Sequence, residues 1–170
     1  MSASAVNTRK GYSLAQIALH WLIAVLIVCQ FVFHESIVDA WRASRRGGDA
    51  AAPLTFAAQA HVRGGLAVLA FALWRLWLRQ TCGVPAAPAE EAAPLRLAAH
   101  VTHVTLYALM ILMPVTGAAA WFGGIGAASE IHEILRVPLF FLVLIHLLGA
   151  LFQKFWLKSN VLTRIVRPET

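Results

Sequence analysis

The chain has 170 residues, of which 59% are hydrophobic and only 13% charged, and its mean hydropathy is +0.70. This mix excludes an ordinary soluble domain, and the length suits a single domain. A net charge of +6 and a pI near 10.2 would suit a nucleic-acid binder. In so apolar a chain the order of the basic residues tells more than their number, and no nucleic-acid partner is expected.

Four apolar stretches follow one another, at about 14–33, 58–79, 97–122 and 134–156. Each approaches or exceeds the roughly 20 residues that cross a bilayer core about 30 Å thick. Lipid offers no hydrogen bonds to the backbone, so the spans must be helices. The expected fold is an all-α integral membrane protein, a four-transmembrane-helix bundle forming one domain over residues 1–170.

Arg9 and Lys10 before the first stretch give it the look of a signal peptide. The run is too long for one, contains His20, and ends in Phe33-His34-Glu35 with no small-residue cleavage site, so a retained helix is expected. Residues 34–56 then form an outer segment, polar from Arg42 to Asp49. Residues 80–96 form an inner link (QTCGVPAAPAEEAAPLR) whose three prolines forbid a continuous helix. Residues 123–131, GGIGAASEI, read as a short outer turn, and the short basic tail after Phe155 suits an interfacial anchor.

Nine basic residues fall on the side of the termini: Arg9, Lys10, Arg75, Arg79, Arg96, Lys154, Lys158, Arg164 and Arg167. Five fall on the other: Arg42, Arg45, Arg46, Arg63 and Arg136. The excess places both termini in the cytoplasm. Of the two cysteines, Cys29 lies within the first span and Cys82 just past the second, with no CxxC between them. Free thiols are expected, and without CxxCH any haem would be the non-covalent b type.

Seven histidines carry the chemistry. His132 and His146 lie fourteen residues apart in the fourth span, about 21 Å along one helix face. One helix could therefore offer imidazoles to two stacked haems. Imidazoles well inside apolar runs are costly unless used, which singles out His20 and His146. Depth pairs these two at the inner level. For His132, at the outer level, two partners compete. His34 is also fourteen residues from His20, while His61 opens HVRGG, where two glycines permit close approach of a macrocycle and Arg63 could meet a propionate. Spacing does not choose between them. At a helix end, His34 has the plain reading of an interfacial polar residue. His100 and His103 suit a helix-terminal surface equally well; they lack the further ligands of a zinc site.

ALHW at His20, HVRGGLAVLAFALWRLWLR from His61, LAAHVTHVTLYALMILMPVTG, IHEIL and LIHLLGA together resemble the bacterial cytochrome b561 family, in the same order over nearly the whole chain. The tyrosine and Pro-x-x-Gly of the third span and the closing Leu-x-Arg (162–164) agree with it. The resemblance implies a four-helix bundle with two b haems. His20 and His146 would be the axial iron ligands of the inner haem, and His61 and His132 those of the outer one. It also implies residence in the bacterial inner membrane and electron transfer to quinone, ubiquinone in one branch that takes electrons from superoxide. Two departures stand out. Gln153 and Lys154 occupy the region where members often carry a further histidine, and the segment before His132 is short.

The expected function is transmembrane electron transfer through two bis-histidine b haems, from an extracytoplasmic donor, superoxide among the candidates, to the quinone pool. Arg96, His100 and His103 would supply quinone contacts and a proton path. The protein would be an oxidoreductase of the superoxide:ubiquinone kind, a monomer or homodimer in the bilayer. One alternative is a cytochrome b subunit anchoring a dehydrogenase or hydrogenase, which a copurifying partner would reveal. Another is a non-redox metal transporter lined by histidine, which the absence of a b-type spectrum would reveal.

Overall fold

The computed structural model describes residues 11–46, 54–88 and 91–168. Arg9, Lys10 and Asp49, named in the sequence readings, lie outside the described residues. Among those described, the structure is all helical: α1 (Leu14–Val32), α2 (His34–Arg45), α3 (Phe56–Cys82), α4 (Ala93–Gly123), α5 (Gly126–Phe155) and a short α6 (Val161–Arg164). α1, α3, α4 and α5 have 19, 27, 31 and 30 residues and are long and apolar enough to cross a membrane. They pack in series, α1 on α3, α3 on α4 and α4 on α5. α1 and α5 meet through side chains rather than backbone, as where Phe31 and Phe140 pack edge to face at 5.7 Å.

Each boundary has a local cause. α1 opens with a capping box: the Ser13 hydroxyl accepts from Gln16 N–H, and the Gln16 side chain accepts from Ser13 N–H at 3.0 Å. The Gln16 amide also donates to the Gly83 carbonyl at 3.0 Å, which joins the start of α1 to the end of α3. Gln16 is thus buried with its polar atoms satisfied. α3 starts on Thr55, whose hydroxyl accepts from Ala58 N–H, and ends at Gly83 with φ 75°. Pro94 lies in the first turn of α4, where its missing N–H costs nothing.

The connection at the outer end differs from the expected turn over 123–131. α4 runs through Gly123, Gly124 caps it in the left-handed region at φ 65°, and α5 begins at Gly126. Only Gly124 and Ile125 separate the two helices, because Ala127, Ala128, Ser129 and Glu130 continue a helix readily once Gly124 has reversed the chain. The expected outer segment likewise contains a helix, α2, which packs against α3.

The buried core is a stripe of Ile23, Ile27, Val68, Ala72, Leu106, Leu109, Met110 and Leu139 across the four long helices. Large apolar side chains such as Val25, Trp77, Phe141 and Leu148 point outward, as lipid-facing positions do when both sides of the helix are apolar. At the inner end the tail folds back on the bundle. The Trp21 indole donates to the Ile165 carbonyl at 2.9 Å, and Arg164 of the Leu-x-Arg sequence donates to Ala86 O at 2.8 Å. Gln153 donates to Glu91 of the inner link.

Candidate haem sites

The seven histidines sort into two clusters, one at each level of the bundle, with His100 apart from both. In the outer cluster the rings of His61 on α3 and His132 on α5 stand 6.4 Å apart, centroid to centroid, with planes at 70°. In the inner cluster the rings of His20 on α1 and His146 on α5 stand 6.1 Å apart at 64°. An imidazole nitrogen binds a metal at about 2.0–2.1 Å, so two rings on opposite sides of one metal have centroids roughly 6.4 Å apart. Both pairs fit a bis-histidine haem iron by that measure.

The outer pair borders a cavity with about 1170 Å³ of empty space, its open mouth included. Its walls are mostly apolar, and Gly65, Gly117, His34 and Arg136 contribute to them. α2 covers it with Ile37, Val38 and Trp41. This supplies the cover that the short segment before His132 does not.

A backbone carbonyl and a side-chain amide set the two outer rings. His132 Nδ1 lies 2.8 Å from the Met113 carbonyl and donates to it, which leaves Nε2 free with its lone pair, the arrangement expected of a metal-binding imidazole. Gly117 makes this possible: a Cβ there would stand 3.0 Å from His132 Cε1. The Pro-x-x-Gly of α4 therefore has a clear task in its glycine.

His61 is held by Gln30 of α1. Oriented to satisfy its neighbours, the Gln30 amide nitrogen donates to the His61 carbonyl at 2.9 Å and to His61 Nδ1 at 3.3 Å, and its oxygen accepts from Gly65 N–H at 3.3 Å. The amide thereby bridges one turn of α3, and any Cβ at Gly64 would collide with it. The two glycines of HVRGG divide the work: Gly64 admits Gln30, while Gly65 lines the cavity.

His34 does not meet His132. Its side chain is 14% exposed, and its Nε2 lies 3.1 Å from a carboxylate oxygen of Glu133. The other oxygen of Glu133 accepts from Arg136 at 3.1 and 2.6 Å. His34 thus ties α2 to α5 at the edge of the cavity. Arg63 is exposed and absent from the cavity wall, whereas Arg136 is part of it.

Each of the four long helices contributes one polar residue to the inner cluster. Arg75 of α3 donates from Nη1 to His20 Nδ1 at 3.0 Å, and His103 of α4 packs edge to face on His146 at 5.3 Å. A guanidinium can only donate, so in this contact the His20 proton sits on Nε2. Binding iron through that nitrogen requires the ring proton to change places and Arg75 to turn aside. Arg75 also borders a small polar pocket with Tyr12, Gln16, Arg79 and Tyr107. Arg96 and His100 are exposed on α4.

Sequence reading missed two residues of these clusters, Gln30 and Arg75. Both carried a signal, a polar side chain inside an apolar span, which is costly without a partner. By its place in the sequence Arg75 reads only as one of the basic residues on the side of the termini.

Comparison with known proteins identifies the family. Residues 11–168 match the family model described as prokaryotic cytochrome b561. A protein of Cereibacter sphaeroides named cytochrome b562 is 35% identical, over 93% of this chain and 96% of its own. A protein of Yersinia pestis named probable superoxide oxidase CybB is 26% identical, over 92% of this chain and 96% of its own. The chain belongs to the prokaryotic cytochrome b561 family.

Proposed function

We propose that this chain carries electrons across the bacterial inner membrane through two b haems, from a donor at the outer end to the membrane quinone pool. His61 and His132 hold the outer haem, and His20 and His146 the inner one. The observation that carries this reading is the pair of imidazole pairs, 6.4 and 6.1 Å between centroids, at two levels of one bundle. Membership of a cytochrome b family supports haem b binding and electron transfer in general terms.

A haem held by these imidazoles would supply one-electron, outer-sphere transfer. The protein supplies placement and electrostatics. His132 is kept in its ligating tautomer by Met113 O, and the turn bearing His61 is clamped by Gln30. α2 shields the outer cavity, whose wall includes His34, Glu133 and Arg136. At the other end, Arg96 and His100 on the exposed rim of α4 would contact the quinone, and His103, between that rim and His146, would pass its proton.

One donor has a specific observation behind it. Arg136 borders the outer cavity, and its guanidinium, though paired with Glu133, keeps further N–H donors for an anion such as superoxide. The name of the Yersinia pestis relative supports the same donor.

A reduced-minus-oxidised spectrum of the purified protein with haem counting tests the core of the reading. The expected result is a b-type α band and two haems per chain. Each of His20→Ala, His146→Ala, His61→Ala and His132→Ala should lose one haem, and His34→Ala none. No b-type band sinks the proposal. A stable copurifying enzyme, without quinone reduction by the isolated chain, would move it to the anchor-subunit reading.

A further inference from the structure

We infer that Arg75 sets the direction of electron flow, making the inner site the more easily reduced of the two. This rests on the haem assignment above and concerns residues outside the ligand set. Arg75 belongs to a membrane-spanning helix, and its guanidinium lies 3.0 Å from the His20 ring. Among the described residues no carboxylate comes within ion-pair distance of it. Its polar surroundings are His20 and the pocket of Tyr12, Gln16, Arg79 and Tyr107, which add a second cation and no formal negative charge. The outer site is balanced differently. Its cation, Arg136, is paired with Glu133 at 2.6 Å, and that carboxylate is shared with His34.

An unpaired cation at membrane depth is expensive and marks function by default. Reduction adds one negative charge to a haem site, and a nearby guanidinium favours that state. The effect grows as the surroundings become less polar. Burial and neighbouring charge are among the ways a protein tunes haem. Arg75 can leave His20 Nδ1 when the ring ligates, but its attachment to α3 keeps the charge beside the pair. One electron then passes from the outer site, which is oxidised, to the inner site, which is reduced, with no proton exchanged between them. The inner site is reoxidised by a quinone.

Redox titration of the haem-loaded protein in nanodiscs, read from visible spectra, tests this. His61→Ala and His20→Ala identify the outer and inner waves by removing one each. In the unaltered protein the inner wave should lie at the higher potential. Arg75→Leu should move the inner wave down and leave the outer one in place, while Arg75→Lys, which keeps the charge, should restore most of the position. Glu133→Gln should move only the outer wave, upward. Should Arg75→Leu lose its inner haem, Arg75→Gln gives the same reading with a polar side chain. An inner wave below the outer one, an inner wave unmoved in the neutral variants, or equal movement of both waves overturns the inference. If the two histidine variants fail to remove one wave each, the ligand assignment has failed and the inference falls with it, a result distinct from the other three.

Discussion

The outer and inner histidine pairs have nearly the same separation but are built in different ways. The outer rings are set by contacts with helix backbone: the Met113 carbonyl orients His132, the Gln30 side chain bonds to the backbone of the turn that carries His61, and Gly117 and Gly64 make the room. The inner rings are set by long polar side chains, Arg75 on His20 and His103 on His146. A site framed by backbone and glycine holds its shape and fails sterically when crowded. A site framed by a guanidinium and a third imidazole is adjustable, and its weak point is charge.

The largest effect that would sharpen this contrast is expected from Gly117→Leu. Even the first carbon of the new side chain would stand 3.0 Å from His132, and the rest would fill the cavity. The haem-to-protein ratio should fall by half, with the inner haem spectrum intact. Retention of both haems would show that the outer ring has room to retreat. Gly117→Ala should be milder, costing about 1–3 kcal/mol as overpacking does, read as a lower melting temperature.

Gln30→Leu comes next. It removes the amide that bridges the turn bearing His61, and hydrogen bonds of this kind contribute about 0.5–1.5 kcal/mol each. The outer haem should dissociate faster than in the unaltered protein, measured by transfer to a haem scavenger, while the inner haem's rate stays the same. Equal rates at both sites would break the distinction. The smallest effect is expected from His100→Ala. This residue is exposed and belongs to neither pair, so both haem spectra should be unchanged and only quinone reduction should slow.

Much of the site was legible before any coordinates. The fourteen-residue interval from His132 to His146 needs only helical geometry to imply two levels. The cost of imidazole in lipid singled out His20 and His146. The choice between His34 and His61 was not legible from spacing, because it depends on what stands opposite each ring. In the structure Glu133 draws His34 toward the edge, and His61 is left facing His132. The clustered glycines of 123–131 suggested a loop, but only Gly124 needs the left-handed conformation and the alanines after it are helical. Helix α2 hid within a polar segment, although Ile37, Val38 and Trp41 carry the apolar spacing of one helix face.

The sequence by itself determined the class, the four spans and the levels at which imidazoles occur. These follow from hydropathy and from the fixed rise of a helix, which are properties of one segment at a time. Only the tertiary structure showed that the rings paired by the family resemblance face each other, that Gln30 clamps the turn of His61, and that Arg75 stands beside His20 with no acid against it among the described residues. Those facts depend on how helices rotate and approach one another. Small residues such as Gly64 and Gly117 govern that approach, and their effect appears only when the opposite helix is in place.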